Sequence, residues 1–432
     1  MHHCHVAVRP AERRTQSARA KPPLTALTPA VRPQPDGFLD FVRGFRAFGQ
    51  PTSLFEDGGI PYLVNEFWTS GQRQGHAIHE VSYRACFKPQ LPAFFIARLT
   101  APGDAVHDPF MGRGTTPIQA ALMGRRPVGN DVNPLSVLLT RPRLQPPLLA
   151  DVAARLKQVP WDAGVIDRDD LLAFYHPDTL RKLTALRAWL LARCPLAEPN
   201  PDPVDDWIRM VALNRLTGHS PGFFSGRTMP PNQAVSVESQ IRMNAASGLQ
   251  PPPRDVVAVL LKKSRSLLSD GLPPAHPPAI LCVGSAAATP AIGDGSVALV
   301  VTSPPFLDIV QYATDNWLRC WFAGIDVASV AIAMHRTEAA WTALIREVLA
   351  EQARILRPGG HVAFEVGEVR GGTVLLEKLV WQAADGLAFE RLAVLVNQQE
   401  FTKTANCWGV SNNRRGTNTN RIVLLRRLPS GA

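Results

Sequence analysis

The sequence predicts an α/β protein, built on a doubly wound, mostly parallel sheet that a mainly helical insertion interrupts. Three observations carry that expectation. Short apolar runs such as Val297–Thr302 alternate with segments of helical periodicity. Glycine-rich or proline-rich turns follow two of the runs, at Gly112-Arg113-Gly114 and Pro304-Pro305. The rhythm then breaks over residues 137–278, where long helical patterns replace it.

Taken in order, residues 104–110 read as a short strand running into a loop. Residues 115–123 read as a helix with Ile118, Ala121 and Leu122 on one face. A second strand is expected from Arg126 to Gly129. Residues 178–193 read as a helix of the insertion, with Leu183, Leu186 and Leu190 in line. Residues 297–302 are a buried strand. Residues 338–356 form an amphipathic helix whose apolar face is Trp341, Leu344, Ile345, Val348, Ile355 and Leu356. Pro358-Gly359-Gly360 stops it, and residues 361–366 and 421–426 are further strands. Proline-rich breaks at 195–204 and 273–278 read as linkers or boundaries. The expected organisation is a flexible basic tail (1–36), an N-terminal extension (37–80), an α/β domain in two pieces (81–136 and 279–427), and the helical insertion (137–278).

The chain has 432 residues, 45% hydrophobic and 19% charged, enough for a sizeable core and against general disorder. No apolar stretch approaches the roughly 18 residues of a membrane span, and the N-terminus shows no secretory pattern. The net charge is +10. Basic residues gather at the two ends: Arg9, Arg13, Arg14, Arg19, Lys21 and Arg32 at one, Lys403, Arg414, Arg415, Arg421, Arg426 and Arg427 at the other. Such a balance favours a polyanionic partner, nucleic acid first. The six cysteines are scattered without a CxxC pair, which points to a reducing cytoplasm and away from a disulfide framework. His2, His3, Cys4 and His5 cluster at a chain end, and no metal site is expected there.

The segment Asp108-Pro109-Phe110-Met111-Gly112-Arg113-Gly114-Thr115-Thr116 lies between a strand and a helix. Its glycines permit a tight turn and close approach to a ligand, and the helix directs its first N–H groups there. Asp131 stands at the end of the second strand, roughly 20 residues further on, where such folds place an acid on ribose hydroxyls. The spacing is open to a dinucleotide as well, although Pro117 occupies the third glycine position of that fingerprint.

Thr302-Ser303-Pro304-Pro305-Phe306 follows the buried strand directly. Two prolines fix the backbone and remove two N–H donors, leaving carbonyls as acceptors. Ser303 adds a hydroxyl and Phe306 a flat face. An exocyclic amine on a nucleobase requires such acceptors and such a ring.

Together the two segments resemble the amino-methyltransferases that act on DNA, with their F-x-G-x-G cofactor loop and [D/N/S]-P-P-[Y/F/W] catalytic loop. The resemblance covers roughly residues 81–136 and 279–427. It implies a Rossmann-like methyltransferase fold, S-adenosylmethionine as cofactor, double-stranded DNA as partner and a flipped-out target base, with a cognate restriction endonuclease acting separately as a possible companion. The serine form implies the N4-cytosine branch; N6-adenine, or an amine of RNA or protein, is the alternative. It further implies that Ser303, Pro304, Pro305 and Phe306 are catalytic. Phe87-Lys88-Pro89 resembles the motif that closes over the methionine end of the cofactor. With it, Asp108, Pro109, Phe110, Gly112, Gly114, Thr115, Thr116, Asp131 and Asn133 would bind the cofactor. Asp308, Tyr312, Asp315, Asn316 and Trp317 continue the catalytic loop. Two departures stand out. Leu281–Ser285 lacks the acid often found after the third strand, and Phe306 replaces tyrosine. No cysteine follows a proline, which argues against cytosine-C5 chemistry. Candidate readers of DNA sequence are the insertion, with its polar stretch from Asn214 to Gln240 (His219, Arg227, Asn232, Gln233), and residues 400–421.

Overall fold

The computed structural model describes residues 37–69, 75–83, 86–198, 201–218, 220–228, 234–307, 312–330, 335–398 and 419–429. The basic tail, the His2–His5 cluster, Asp308, His219, Asn232, Gln233 and residues 400–418 lie outside them.

The chain begins with α1 (Phe38–Arg43), the hairpin β1 (Ser53–Asp57) and β2 (Ile60–Asn65), then α2 (Gln90–Leu99). The first βαβ unit is β3 (Ala105–Asp108), α3 (Thr115–Leu122) and β4 (Arg126–Asp131). A helical stretch follows: α4 (Leu135–Leu144), α5 (Leu149–Leu156), α6 (Pro177–Arg193), α7 (Pro203–Arg215), α8 (Val237–Ser247) and α9 (Val256–Leu267). The sheet resumes with β5 (Ile280–Val283) and β6 (Val297–Thr302). After them come α10 (Tyr312–Ala323), α11 (Glu338–Ile355), β7 (Leu356–Val366), the short pair β8 (Glu368–Val369) and β9 (Val374–Leu375), α12 (Leu376–Ala383), β10 (Phe389–Gln398) and β11 (Thr419–Arg427).

The main sheet has nine strands in the order β1-β2-β10-β11-β7-β6-β3-β4-β5. The run from β7 to β5 is parallel throughout. β11 is antiparallel to both of its neighbours, and the hairpin β1–β2 extends the sheet beyond β10. The expected mostly parallel α/β architecture is therefore present. Sequence reading did not place β1, β2 or β10. Proline inside β2 and a polar start to β10 mask their alternation.

One face of the sheet is covered by α11 and α12, where Trp341, Ile345, Val348 and Val380 pack on Val300, Val362 and Phe364. The other is covered by α1 and α2, whose Phe38, Phe94, Phe95 and Ile96 meet Leu299, Val301 and Ala363. Val297–Thr302 is buried at every position, as its unbroken apolar run predicts for a central parallel strand. Pro358-Gly359-Gly360 ends α11 but does not delay the next strand. The pairing of β6 with β7 slips between Val297 and Leu299, so the turn is absorbed as a bulge and the strand starts at Leu356.

The helices between β4 and β5 share a third core, with Leu183, Leu186, Trp207, Met210 and Leu260 buried in it. Leu318, Cys320 and Phe322 of α10, which follows β6, enter the same core. The segment after β6 is thereby held on the helical stretch.

The strand order reverses between β3 and β6. β3 leads outward to β4 and β5, whereas β6 leads the other way to β7. Such a switch point leaves a crevice at the strands' carboxyl ends, because the two following connections diverge. The two loops singled out from sequence are those connections.

Candidate active site

A cavity of about 290 Å³ opens at the switch point. Residues from four connections line it: Tyr83, Cys86 and Phe87 before α2; Asp108, Phe110, Met111, Gly112 and Thr115 after β3; Asp131, Val132 and Asn133 after β4; Ser285 and Ala286 after β5. Ser303 and Pro305 after β6 and Leu344 of α11 complete it.

The glycine loop is built for this position. Gly112 has φ 49° and Gly114 φ 76°, in the left-handed region that side chains resist. A Cβ on Gly114 would lie 2.2 Å from Thr140 Oγ1, so only glycine lets α3 pack on α4. Asp131 holds the loop from outside. Its Oδ2 accepts the Gly112 amide at 2.8 Å and its Oδ1 accepts the Asn133 amide at 2.9 Å. Each carboxylate oxygen carries a second lone pair, so Asp131 can still accept hydroxyl donors from the cavity. Asn130 stitches the same region, donating to the Gly284 carbonyl at 2.9 Å.

Asp108 is 1% exposed. Its Oδ1 accepts the Thr302 hydroxyl at 2.6 Å and the Phe110 amide at 3.1 Å. These bonds favour the charged form, but burial outweighs them and pushes the carboxyl up to about 7. Burial also raises Asp131, against the pull of its two backbone donors.

Arg113, between the two glycines, performs a task that its sequence context does not signal. Its guanidinium donates to the Val81 carbonyl at 2.8 Å and the Phe87 carbonyl at 3.3 Å. Arg143 of α4, fully buried, donates to the carbonyls of Arg113 and Ile78. These arginines draw the segment before α2 across the loop and bring Phe87 to the cavity.

Not every expected residue faces the space. Thr116 donates to the Val301 carbonyl at 3.0 Å and so braces α3 on β6. Pro89 caps α2, and the Lys88 carbonyl accepts from Leu91 in its first turn. Pro109, Gly114 and Pro304 are buried and, like Phe306, are not among the residues that line the cavity. Asn133 lines the cavity, yet its Oδ1 accepts the Leu135 amide and starts α4. Tyr83, Cys86, Met111, Val132, Ser285, Ala286 and Leu344 escaped sequence reading because their order in the chain carries no hint of convergence.

The Ser-Pro-Pro-Phe loop is pinned at three points. Glu365 of β7 lies beside Ser303 and accepts a hydrogen bond from Asn420 Nδ2 at 2.9 Å; burial raises its carboxyl above the ordinary range, against the pull of both neighbours. This follows from register: Thr302 pairs with Phe364, so the next residue on each strand meets its counterpart. Trp341 Nε1 donates to the Pro305 carbonyl at 2.9 Å. Phe306 lies over Gly367, where a Cβ would come within 3.0 Å of its ring.

Residues 61–139 match the family model described as DNA methylase. Over that segment the chain is similar to DNA methylases. The matched segment contains the glycine loop, Asp131 and the start of α4; it ends before the Ser303–Phe306 loop. The chain is 41% identical over 70 residues to the type II methyltransferase M.MjaII of Methanocaldococcus jannaschii, a stretch that is 16% of this chain and 13% of that protein. It thus spans only a small part of the relative's length. A putative DNA modification methylase of Thermus thermophilus is a similar solved structure, at 23% identity, TM-score 0.20, and coverage of 32% of this chain and 49% of that one. A geranyl diphosphate methyltransferase aligns over 79% of this chain and 80% of its own, at 10% identity and TM-score 0.32.

Proposed function

We propose that the protein is an S-adenosylmethionine-dependent DNA methyltransferase that modifies the exocyclic N4 amine of a flipped-out cytosine. The observation that carries the reading is the convergence of the DNA-methylase glycine loop and the Ser303–Phe306 loop on one cavity. The residues present fit the cofactor. Asp131 keeps lone pairs for ribose hydroxyls, Phe110 and Ala286 offer apolar surface, and Phe87 and Gly112 border the same space. The cofactor supplies a methyl group on a sulfonium.

The chain's own contribution is orientation and acceptor chemistry. A cytosine amine is a weak nucleophile because its lone pair is delocalised into the ring. A hydroxyl has one proton and two lone pairs. With its proton directed to the neighbouring Glu365, Ser303 would keep its lone pairs for an N–H of the amine. The carbonyl of Pro304, a residue flanked by Ser303 and Pro305 of the lining, would be a second acceptor. Two such acceptors bias the nitrogen toward tetrahedral geometry, and most of the gain is proximity and orientation. Methylation leaves one proton too many on the nitrogen. Glu365, held above the usual carboxylate range, is the titratable group that Ser303 touches and the natural acceptor for it. Phe306 supports the extruded base.

The same cradle accommodates an adenine amine, so N6-adenine methylation is the second reading; the serine at position 303 favours cytosine. The helical stretch 137–278 is our candidate for reading the DNA. Arg227 is exposed there, whereas Asn214 and Gln240, the ends of its polar stretch, are buried. Asn214 holds Ser82 and Glu80, and Gln240 holds the Arg227 carbonyl. No helix of the described residues is long and apolar enough to cross a membrane.

The test is to incubate the protein with unmethylated genomic DNA and S-adenosylmethionine, hydrolyse the DNA and analyse its nucleosides by mass spectrometry. N4-methylcytosine alone supports the reading. N6-methyladenine moves the target base, and no methylated nucleoside overturns the DNA substrate.

A further inference from the structure

Trp341 reads from sequence as the first residue of an apolar helix face, and it is 1% exposed in that face. A purely apolar residue would serve the core equally well. Indole is different, since it carries one N–H that only donates. That group reaches out of the core and donates to the Pro305 carbonyl at 2.9 Å.

The bond matters because of what the loop lacks. Pro304 and Pro305 have no N–H, so this stretch of backbone can be anchored only through its carbonyls. One carbonyl is taken by Trp341. Ser303 lies beside Glu365 and Phe306 rests on Gly367, on either side of the two prolines. One turn further along α11, Leu344 lines the cavity. The helix that fixes the loop thus also forms a wall of the site.

We propose that Trp341 is a positioning residue for methyl transfer: by holding the Pro305 carbonyl it aims the Pro304 carbonyl and Ser303 at the target amine. This assignment rests on the function proposed above. Trp341 is not among the residues that line the cavity, so its loss is expected to act on turnover and to leave cofactor binding alone.

The experiment replaces Trp341 with Phe, which keeps most of the ring volume and removes the N–H. Turnover on unmethylated genomic DNA is measured with S-adenosylmethionine affinity by calorimetry. Val348→Ala, from the same buried face, is the control for lost packing. Trp341→Phe is expected to lower kcat roughly tenfold or more with cofactor affinity within about twofold, since small misplacements of reacting groups cost up to about 10²-fold. Val348→Ala is expected to lower Tm at least as much while keeping kcat within about twofold. Equal loss of kcat in both variants, or an undiminished kcat in Trp341→Phe, overturns the proposal. Crystal structures of the parent and Trp341→Phe give a readout independent of activity. A displaced 303–306 loop on an unmoved α11 supports the role, and an unmoved loop overturns it. An inactive parent protein would instead count against the proposed function.

Discussion

The Asp131 carboxylate accepts the Gly112 amide at 2.8 Å, so the last residue of β4 holds the loop that leaves β3. Asp131 is therefore a structural clamp as well as the candidate ribose ligand. Asp131→Ala is expected to weaken S-adenosylmethionine binding at least tenfold, because it frees the loop amide and removes the hydroxyl acceptor together. Asp131→Asn, which retains one acceptor oxygen, should lose less. Titration calorimetry on both variants checks this; equal affinity in Asp131→Ala and the parent would refute the clamp.

Asp108 makes stability depend on pH in a definite direction. In the folded protein its carboxyl stays protonated up to about 7, whereas an unfolded chain releases that proton near 3.8. The stabilising contribution is full below the unfolded value and is lost as pH rises through the folded one. A shift of this size corresponds to on the order of 4 kcal/mol. Urea unfolding at pH 5 and pH 8 should show the parent losing stability across the window, and Asp108→Asn should lose markedly less. Parallel behaviour of the two proteins would mean that Asp108 is already ionised at pH 5.

Gly114 combines a positive φ with a packed neighbour. Gly114→Ala is expected to destabilise by about 2–4 kcal/mol, part from the left-handed backbone and part from the clash with Thr140. Adding Thr140→Ala should recover the clash and leave the backbone share. Thermal melts of the single and double variants separate the two parts, and no recovery in the double variant would show that the clash is not the cause.

Ser303→Ala and Phe306→Ala should reduce turnover on DNA on the order of 10²-fold while changing S-adenosylmethionine affinity little. Asp131→Ala should show the opposite pattern. If all three variants lose affinity and turnover in proportion, the division of roles between the two loops is wrong.

Much of this site was legible in residue order. Asp108–Thr116 carries the glycines and the strand–helix context that its chemistry demands, and Val297–Thr302 carries the apolar run that places Ser303 at the end of a buried strand. Strand β10 and the hairpin β1–β2 were not legible, because their place in the sheet is set by the pairing of β2 with β10, far along the chain. Arg113 and Trp341 were opaque for a related reason. One stands between glycines and the other in an apolar stripe, and neither position reveals a carbonyl brought within reach by another element.

The sequence by itself determined the α/β class, the two loops and the residue types at their tips, since these depend on local periodicity and on the stereochemistry of glycine and proline. Only the tertiary structure decided that the two loops share one cavity, that Glu365 meets Ser303 and that Trp341 holds Pro305. Those relationships arise from strand order, register and helix packing, in which residues far apart in the chain become neighbours within hydrogen-bond distance.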